Sequence, residues 1–533
     1  MPATPGAQHR PRRWRAGLAA LSTIGLVTTA VPAVADTGTS CEDLVGTAIS
    51  ADDIGLPTSG AEVTTARVAS PNTAGAYCLV EGRIAPVSAD APDIRFRVNL
   101  PLDWNGKAVH FGGGGYNGTV VTGTGSVPSA PAGTPTPLQQ GYATFGSDSG
   151  HSSAEHPGGS FALIEESLVN FAYAALKKTR DVAVSLMETH YDHTPGQTYF
   201  VGSSQGGREG LMVAQRFPTD YDGVFSRVPV VNFTGQQLFV NALAEPILDG
   251  GWIDAAGIAL LDATTRTTCD GLDGLVDGII SRPQDCDVDF EALLCEAGET
   301  AGCLTQEQID VVEQFHAPLV LEYALANGVA GYPGFPVGGE ANDWPFWVMG
   351  ANGAPGFTVN LGADFIRYFI AQDPDFDTVG FDPNAPEWRE RILEVSELLD
   401  ATDPDLSAFH ASGGKLILQE NLGDNGRSAF AGLDYHASVT EALNKGRTDK
   451  FFRAYAVPKA DHSGGAGPND VDWLALLDRW VTDGRAPRDV VLQERGTDRT
   501  RPACEWPTWS RYFRGDPDQA TSFKCMKAPG FKG

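Results

Sequence analysis

The chain has 533 residues, more than one hydrophobic core normally holds, so more than one structural unit is expected. Hydrophobic residues make up 42 % and aromatics 9 %, which excludes a disordered chain. A formal net charge of −29 speaks against nucleic acid or an anionic membrane as partner, since either would be repelled.

Residues 1–35 read as an export signal. Arg10, Arg12, Arg13 and Arg15 precede a mostly apolar run from Ala16 to Val31, and Ala33-Val34-Ala35 supplies the small-residue cleavage pattern. The rival, a membrane anchor, is disfavoured because the run is short and broken by Ser22, Thr23, Thr28 and Thr29. Export predicts a secreted protein and an oxidising environment. Cys41, Cys78, Cys269, Cys286, Cys295, Cys303, Cys504 and Cys525 are even in number, as disulfides require. A zinc site is the alternative, but no Cys-x-x-Cys pair exists. Spacing leaves the connectivity open.

Residues 36–234 read as the first part of the core, and within them, from about 90 to 230, short β-rich runs alternate with helical ones. Ile94–Leu100, Ala108–Phe111, Ala143–Gly146 and Thr198–Val201 read as strands, and Phe171–Tyr191 has helical spacing. This alternation predicts an α/β fold, a mostly parallel sheet flanked by helices. After the second strand comes Gly112-Gly113-Gly114-Gly115, whose bare backbone N–H groups could face a ligand. A phosphate loop is the competing reading, but no Lys-Ser/Thr follows.

The strand Thr198–Val201 runs into Gly202-Ser203-Ser204-Gln205-Gly206, and a helical stretch follows from Glu209 to Phe217. Gly-x-Ser-x-Gly at a strand-to-helix corner is the context of a nucleophile elbow. Ser204 is the candidate nucleophile, with Ser203 the less symmetric choice between the two glycines. The Gln205 N–H, with one from Gly114 or Gly115, would stabilise a developing oxyanion.

Residues 235–405 lose the strand–helix rhythm and turn to Asp, Gly, Pro and Trp. They read as a lid domain inserted into the core. Within it Asp270, Asp273 and Asp277 fall in eight residues on a glycine-hinged loop. Hard oxygen donors of this kind, with the Leu275 and Ile279 carbonyls, suit Ca²⁺; a solvated acidic turn is the alternative. The aromatic candidates to line a pocket are Trp344, Phe346, Trp347, Phe365 and Tyr368. Arg367 reads either as a partner for a substrate carboxylate or as one half of a structural salt bridge.

Residues 406–533 resume the core. Leu416–Leu418 and Phe452–Val457 read as strands and Val471–Val481 as a helix. An acid is expected in the loop after the first of these strands, which offers Asp424, with Glu420 as rival. Of His316, His410, His436 and His462, only His462 lies in a glycine-rich loop directly after a strand. The order Ser204, Asp424, His462 is that of an α/β-hydrolase triad.

Together these pieces resemble the tannase and feruloyl esterase family. The likeness runs through Trp104-Asn105-Gly106, Gly112 to Gly115, Asp148-Ser149-Gly150-His151 and Ser204 to Arg208. It continues through Tyr221-Asp222-Gly223, Asp270 to Ile279, Phe365 to Phe369, Trp480 to Pro487 and the Cys504 to Cys525 tail. The resemblance implies an α/β-hydrolase core with a large lid and a Ser204–Asp424–His462 triad. It also implies structural Ca²⁺ at the 270–279 loop and disulfides 41–78, 269–286, 295–303 and 504–525. The implied substrates are small esters of aromatic acids, such as feruloyl or galloyl esters; terephthalate-type esters or acyl transfer to an alcohol are alternatives, and a catalytically dead binding protein a remoter one. No organic cofactor is implied. One departure stands out: the family's cysteine pair beside the triad is replaced by Ser203 and Ser463. A hydrogen bond between the two hydroxyls is one possible replacement.

Overall fold

Three strands precede the first one expected. In the computed structural model, which describes residues 38–70 and 75–527, β1 (Ala48–Ile49), β2 (Ala61–Ala69) and β3 (Tyr77–Ile84) form an antiparallel meander. On β2, Ala61, Val63 and Ala66 are buried beside exposed Glu62 and Thr64, the period-two pattern of a sheet with one covered face. The meander continues through β4 (Ile94–Pro101), which pairs antiparallel with β6 (Ala143–Ser147). The leader read at 1–35 lies outside the described residues.

From β6 onward every pairing in this sheet is parallel. β5 (Lys107–Phe111) lies between β6 and β7 (Gln197–Ser203), and β7 pairs with β8 (Gly223–Arg227). The segment after β8 leaves the large sheet, and its paired strands among the described residues are one small antiparallel ribbon, β9 (Leu319–Val320) with β10 (Gly331–Tyr332). The large sheet resumes with β11 (Lys415–Asn421), which pairs directly with β8, and ends at β12 (Phe452–Val457). The ten-stranded order is β1-β2-β3-β4-β6-β5-β7-β8-β11-β12. The expectation of a mostly parallel sheet is thus refined to a mixed sheet, five parallel pairings beside a four-pairing antiparallel wing.

The parallel strands are buried on both faces, because helices cover both. β8 is buried along its whole length. Helix Ala175–Tyr191 carries Val182, Ala183, Leu186 and Met187 into the core beneath β3 and β4. Helix Trp473–Asp483 packs Trp473, Leu474 and Leu477 with Phe225 and Ile417 on the opposite side. Since β8 and β11 are neighbours, residues 228–414 are an excursion from the sheet that begins and ends at adjacent strand edges. The excursion is richer in helix than its composition suggests, with Gln306–His316 and Pro386–Leu399 among its helices.

All eight cysteines pair, as 41–78, 269–286, 295–303 and 504–525. Each links segments close in sequence; the first ties the N-terminal turn to β3. No helix of the described residues is long and apolar enough to cross a membrane.

Candidate active site

The chain leaves β7 through a corner that few residues can make. Ser204 has φ +60° and ψ −123°, a conformation costly for any side-chain-bearing residue, and it caps helix Gln205–Arg216. Strand and helix cross so closely that a Cβ on Gly202 would lie 2.1 Å from the Gly206 carbonyl oxygen. The turn leaves Ser204 half-buried, with its hydroxyl open to a partner.

That partner is His462. Its Nε2 is 3.1 Å from Ser204 Oγ, across 258 residues of sequence. On the other side of the ring, Nδ1 lies 2.8 Å and 3.0 Å from the two Asp424 oxygens. Asp424 Oδ1 also accepts the N–H groups of Gly426 and Arg427, which fixes the carboxylate in the loop after β11. Burial alone would raise the Asp424 pKa, but His462 and the Arg427 guanidinium beside it hold it below the ordinary carboxylate range. Glu420, the rival acid, is turned away and pairs with Arg427; burial pushes it up to about 8. Of the other histidines, His316 donates its Nδ1 proton to the Phe335 carbonyl, His410 stacks on Phe451 and His436 packs edge-on to Phe452. Asp461 accepts the Gly465 N–H, as a turn residue does.

The four-glycine loop sorts itself by which N–H groups are already used. Gly112 N–H donates to the Val201 carbonyl, and Gly113 N–H to Glu209 Oε2 at 2.9 Å. Asn117 donates to the other Glu209 oxygen. A Cβ on Gly114 or Gly115 would meet nothing within 4 Å, so these two border open space. Gly113 O receives the Gly206 N–H, which locks the loop against the elbow. Arg208, fully buried, braces the same helix turn by donating to Gln205 Oε1 and to the carbonyls of Phe171, Ala172 and Leu399.

A family model described as tannase and feruloyl esterase matches residues 78–526. The chain belongs to this family. An uncharacterized esterase of Agrobacterium fabrum is 35 % identical over 515 residues, spanning 91 % of this chain and 92 % of the relative. The mono(2-hydroxyethyl) terephthalate hydrolase of Piscinibacter sakaiensis is 29 % identical, with 88 % of each chain covered. The crystal structure of feruloyl esterase B from Aspergillus oryzae superposes with a TM-score of 0.75 at 24 % identity, over 88 % of this chain and 98 % of that one. The fold is accordingly that of an α/β-hydrolase, and this member of the tannase and feruloyl esterase family is a carboxylic-ester hydrolase.

Around Ser204 and His462, the excursion between β8 and β11 contributes unequally. Trp344 and Phe365 are fully buried in two separate hydrophobic clusters, while Tyr368 is partly buried against the cluster that holds Phe365. Arg367 takes the structural option, with its Nη1 3.7 Å from Asp364 and its Nε donating to the Phe376 carbonyl. Trp347, in contrast, stands edge-to-face on the His462 ring at 4.5 Å. Beside it Phe346 and Phe357 are stacked at 5.3 Å and exposed. Phe357 carried no motif that would have singled it out.

The acidic loop is folded upon itself. Asp270 accepts the N–H groups of Gly278 and Ile279, and Asp273 accepts the Leu275 N–H and the Ser281 hydroxyl. Asp277 accepts the Ile279 N–H and pairs with Arg501. Burial, with the charges of Asp277 and Asp270 adding, pushes Asp273 up to about 6. Crowded hard oxygens of this kind are the donor chemistry of Ca²⁺. Among the described residues no group of three or more His, Cys, Asp or Glu side chains converges into a metal cage.

Two charged residues at the site were missed. Asp343, on helix Glu340–Trp347 of the excursion between β8 and β11, accepts the N–H groups of Asn425 at 2.8 Å and His462 at 3.1 Å. It thereby joins the acid loop to the histidine loop. Arg227, at the end of β8, donates to Ser203 Oγ. The hydrogen bond considered between Ser203 and Ser463 is not formed; Ser463 is exposed, and the Ser203 hydroxyl is taken by that guanidinium. A charge ending an otherwise apolar strand beside the nucleophile strand was the available signal.

Proposed function

We propose that this chain hydrolyses esters of aromatic, phenolic acids through a Ser204–His462–Asp424 triad and an acyl-enzyme. The reading rests above all on the His462 Nε2 to Ser204 Oγ separation of 3.1 Å, with Asp424 on the other ring nitrogen. Ser204 Oγ attacks the ester carbonyl as its proton passes to His462 Nε2. The carbonyl oxygen, now an anion, takes N–H bonds from Gln205 and from Gly114 or Gly115. His462 returns the proton to the departing alcohol, and water repeats both steps to free the acid and Ser204. The surface beside the triad is aromatic, with Trp347 edge-on to the His462 ring and the Phe346–Phe357 pair next to it, which suits a flat acyl ring. Relatives include probable feruloyl esterases from Arthroderma benhamiae and Emericella nidulans. The leader at 1–35 and the four disulfides support export to an oxidising compartment.

A hydrolysis panel tests the reading. Methyl ferulate and methyl gallate are expected to exceed methyl acetate and methyl butyrate, which share their leaving group, by about tenfold or more in kcat/KM, the worth of one well-filled apolar pocket. A fluorophosphonate probe should label the protein, and Ser204→Ala should abolish both labelling and turnover. A preference for short aliphatic acyl groups, or labelling that survives Ser204→Ala, overturns it.

We infer further that Asp270, Asp273 and Asp277, with the Leu275 and Ile279 carbonyls, seat a structural Ca²⁺. When bound, the ion would neutralise these carboxylates and brace the lid; it takes no part in the acyl transfer. Chelation is expected to lower Tm by roughly 2–4 °C, the shift produced by losing a ligand held about 100-fold above its Kd from a chain this long. Added Ca²⁺ should restore Tm, and kcat at 25 °C should change less than about twofold. An unchanged Tm after exhaustive chelation overturns the site.

A further inference from the structure

We propose that Arg227 is a positioning residue that straps the nucleophile elbow to the histidine loop. The proposal rests on the Ser204–His462 reading above. Arg227 is the last residue of β8 and stands opposite Ser203 in the parallel register with β7. Its backbone carbonyl accepts the Ser204 N–H at 3.0 Å. Its Nη1 donates to Ser203 Oγ at 2.8 Å and to the His462 carbonyl at 3.0 Å, and its Nε to Ser129 Oγ at 3.0 Å. One residue therefore holds the nucleophile's N–H, the hydroxyl before it and the main chain of the base.

The surroundings are shaped to this guanidinium. Arg227 is 4 % exposed, and a Cβ on Gly464 would lie 2.8 Å from its Nη2. Gly464 itself has φ +77°, so the histidine loop passes by on a glycine in a left-handed conformation. Ser129 is anchored in turn, its carbonyl accepting the Val471 N–H from the segment beyond that loop. Burial lowers Arg227 to about 10, against which Asp424, Asp461 and Glu420 favour the charged form; it stays cationic at neutral pH.

The geometry matters because nothing covalent joins the two catalytic segments here. No described cysteine lies at Ser203 or Ser463, and all eight are paired elsewhere. The His462 ring is fixed by Asp424, but where the ring sits relative to Ser204 depends on the main chain of the loop that carries it. A planar fork reaches several acceptors at fixed angles; a lysine ammonium reaches fewer and from a shorter planar span.

The test measures kcat and KM on one aromatic ester, the fluorophosphonate labelling rate and Tm for the parent, Arg227→Lys and Ser203→Ala. Arg227→Lys is expected to lower kcat and labelling on the order of 10–100-fold, the effect of displacing a base by a fraction of an ångström to 1 Å, with KM within about twofold. A role in folding alone would lower Tm and the active fraction, titrated by the probe, while leaving kcat per labelled site unchanged; that result overturns the proposal. Where Arg227→Lys does not fold, Ser203→Ala decides: a several-fold loss of kcat per site supports the strap, and an unchanged kcat overturns it. A parent that the probe does not label overturns the triad reading and this one together, whereas normal labelling of both variants overturns this one alone.

Discussion

Asp424→Asn is expected to give a folded protein whose kcat is lower by about 10⁴-fold, the order found when the buried acid of such a triad becomes an amide. The carboxylate only accepts, and with His462 Nδ1 at 2.8 and 3.0 Å it requires the ring proton to sit on Nδ1. Nε2 is then the bare nitrogen that faces Ser204 Oγ and can take its proton. An amide in the same place can donate to Nδ1, which moves the ring proton to Nε2 and points it at the nucleophile. The side chain is held by the N–H groups of Gly426 and Arg427, and an Asn oxygen can still accept these. Buried Arg427 keeps Glu420 as an ion-pair partner. Steady-state kinetics with circular dichroism checks the outcome. A loss under about tenfold in a folded variant would mean that the imidazole is oriented by something else.

Gly202→Ala is expected to remove activity by a different route, through loss of the elbow itself. The added methyl would sit 2.1 Å from the Gly206 oxygen and 2.4 Å from its carbonyl carbon. These are backbone atoms of a helix's first turn and cannot swing aside as a side-chain tip would. Nor can Gly206 retreat, because a Cβ there would already be 2.7 Å from the Gly113 oxygen. The cost is expected to be about 3–5 kcal/mol, the upper range for a single overpacking substitution. Gly114→Ala, at a position bordered by open space, serves as the contrast and should fold. Thermal denaturation and probe labelling of the two variants check this; a Gly202→Ala protein with parental Tm and full labelling refutes the close-crossing argument.

What could be read from the residues follows from where physical signals are local. Buried strands of the core announce themselves by short apolar runs, so Phe452–Val457 was placed at its observed bounds and Ile94–Leu100 within one residue. The elbow was legible because sterics force small residues at fixed offsets from Ser204. Asp424 and His462 could be chosen because the sheet presents the loops after β11 and β12 at the same edge as the loop after β7. The front meander was not read, since β2 alternates short apolar residues with exposed polar ones and carries no motif. The helices between β8 and β11 were obscured by residues that disfavour helix in isolation: Glu340–Trp347 contains Pro345 and starts after Gly339. Asp343 and Arg227 were invisible for a plainer reason. Their partners are backbone groups 82, 119 and 235 residues away, and no spacing rule reaches that far.

Asp343 also constrains how such a protein can be re-engineered or can diverge. It belongs to the segment expected to choose the substrate, yet its carboxylate ties the main chain of the loop after β11 to that of the proposed general base. Exchanging the whole cover with that of another esterase would therefore transplant part of the proton-transfer scaffold along with the pocket. A graft that changed selectivity while sparing turnover would have to keep this one acid, and the helix turn presenting it, as native sequence.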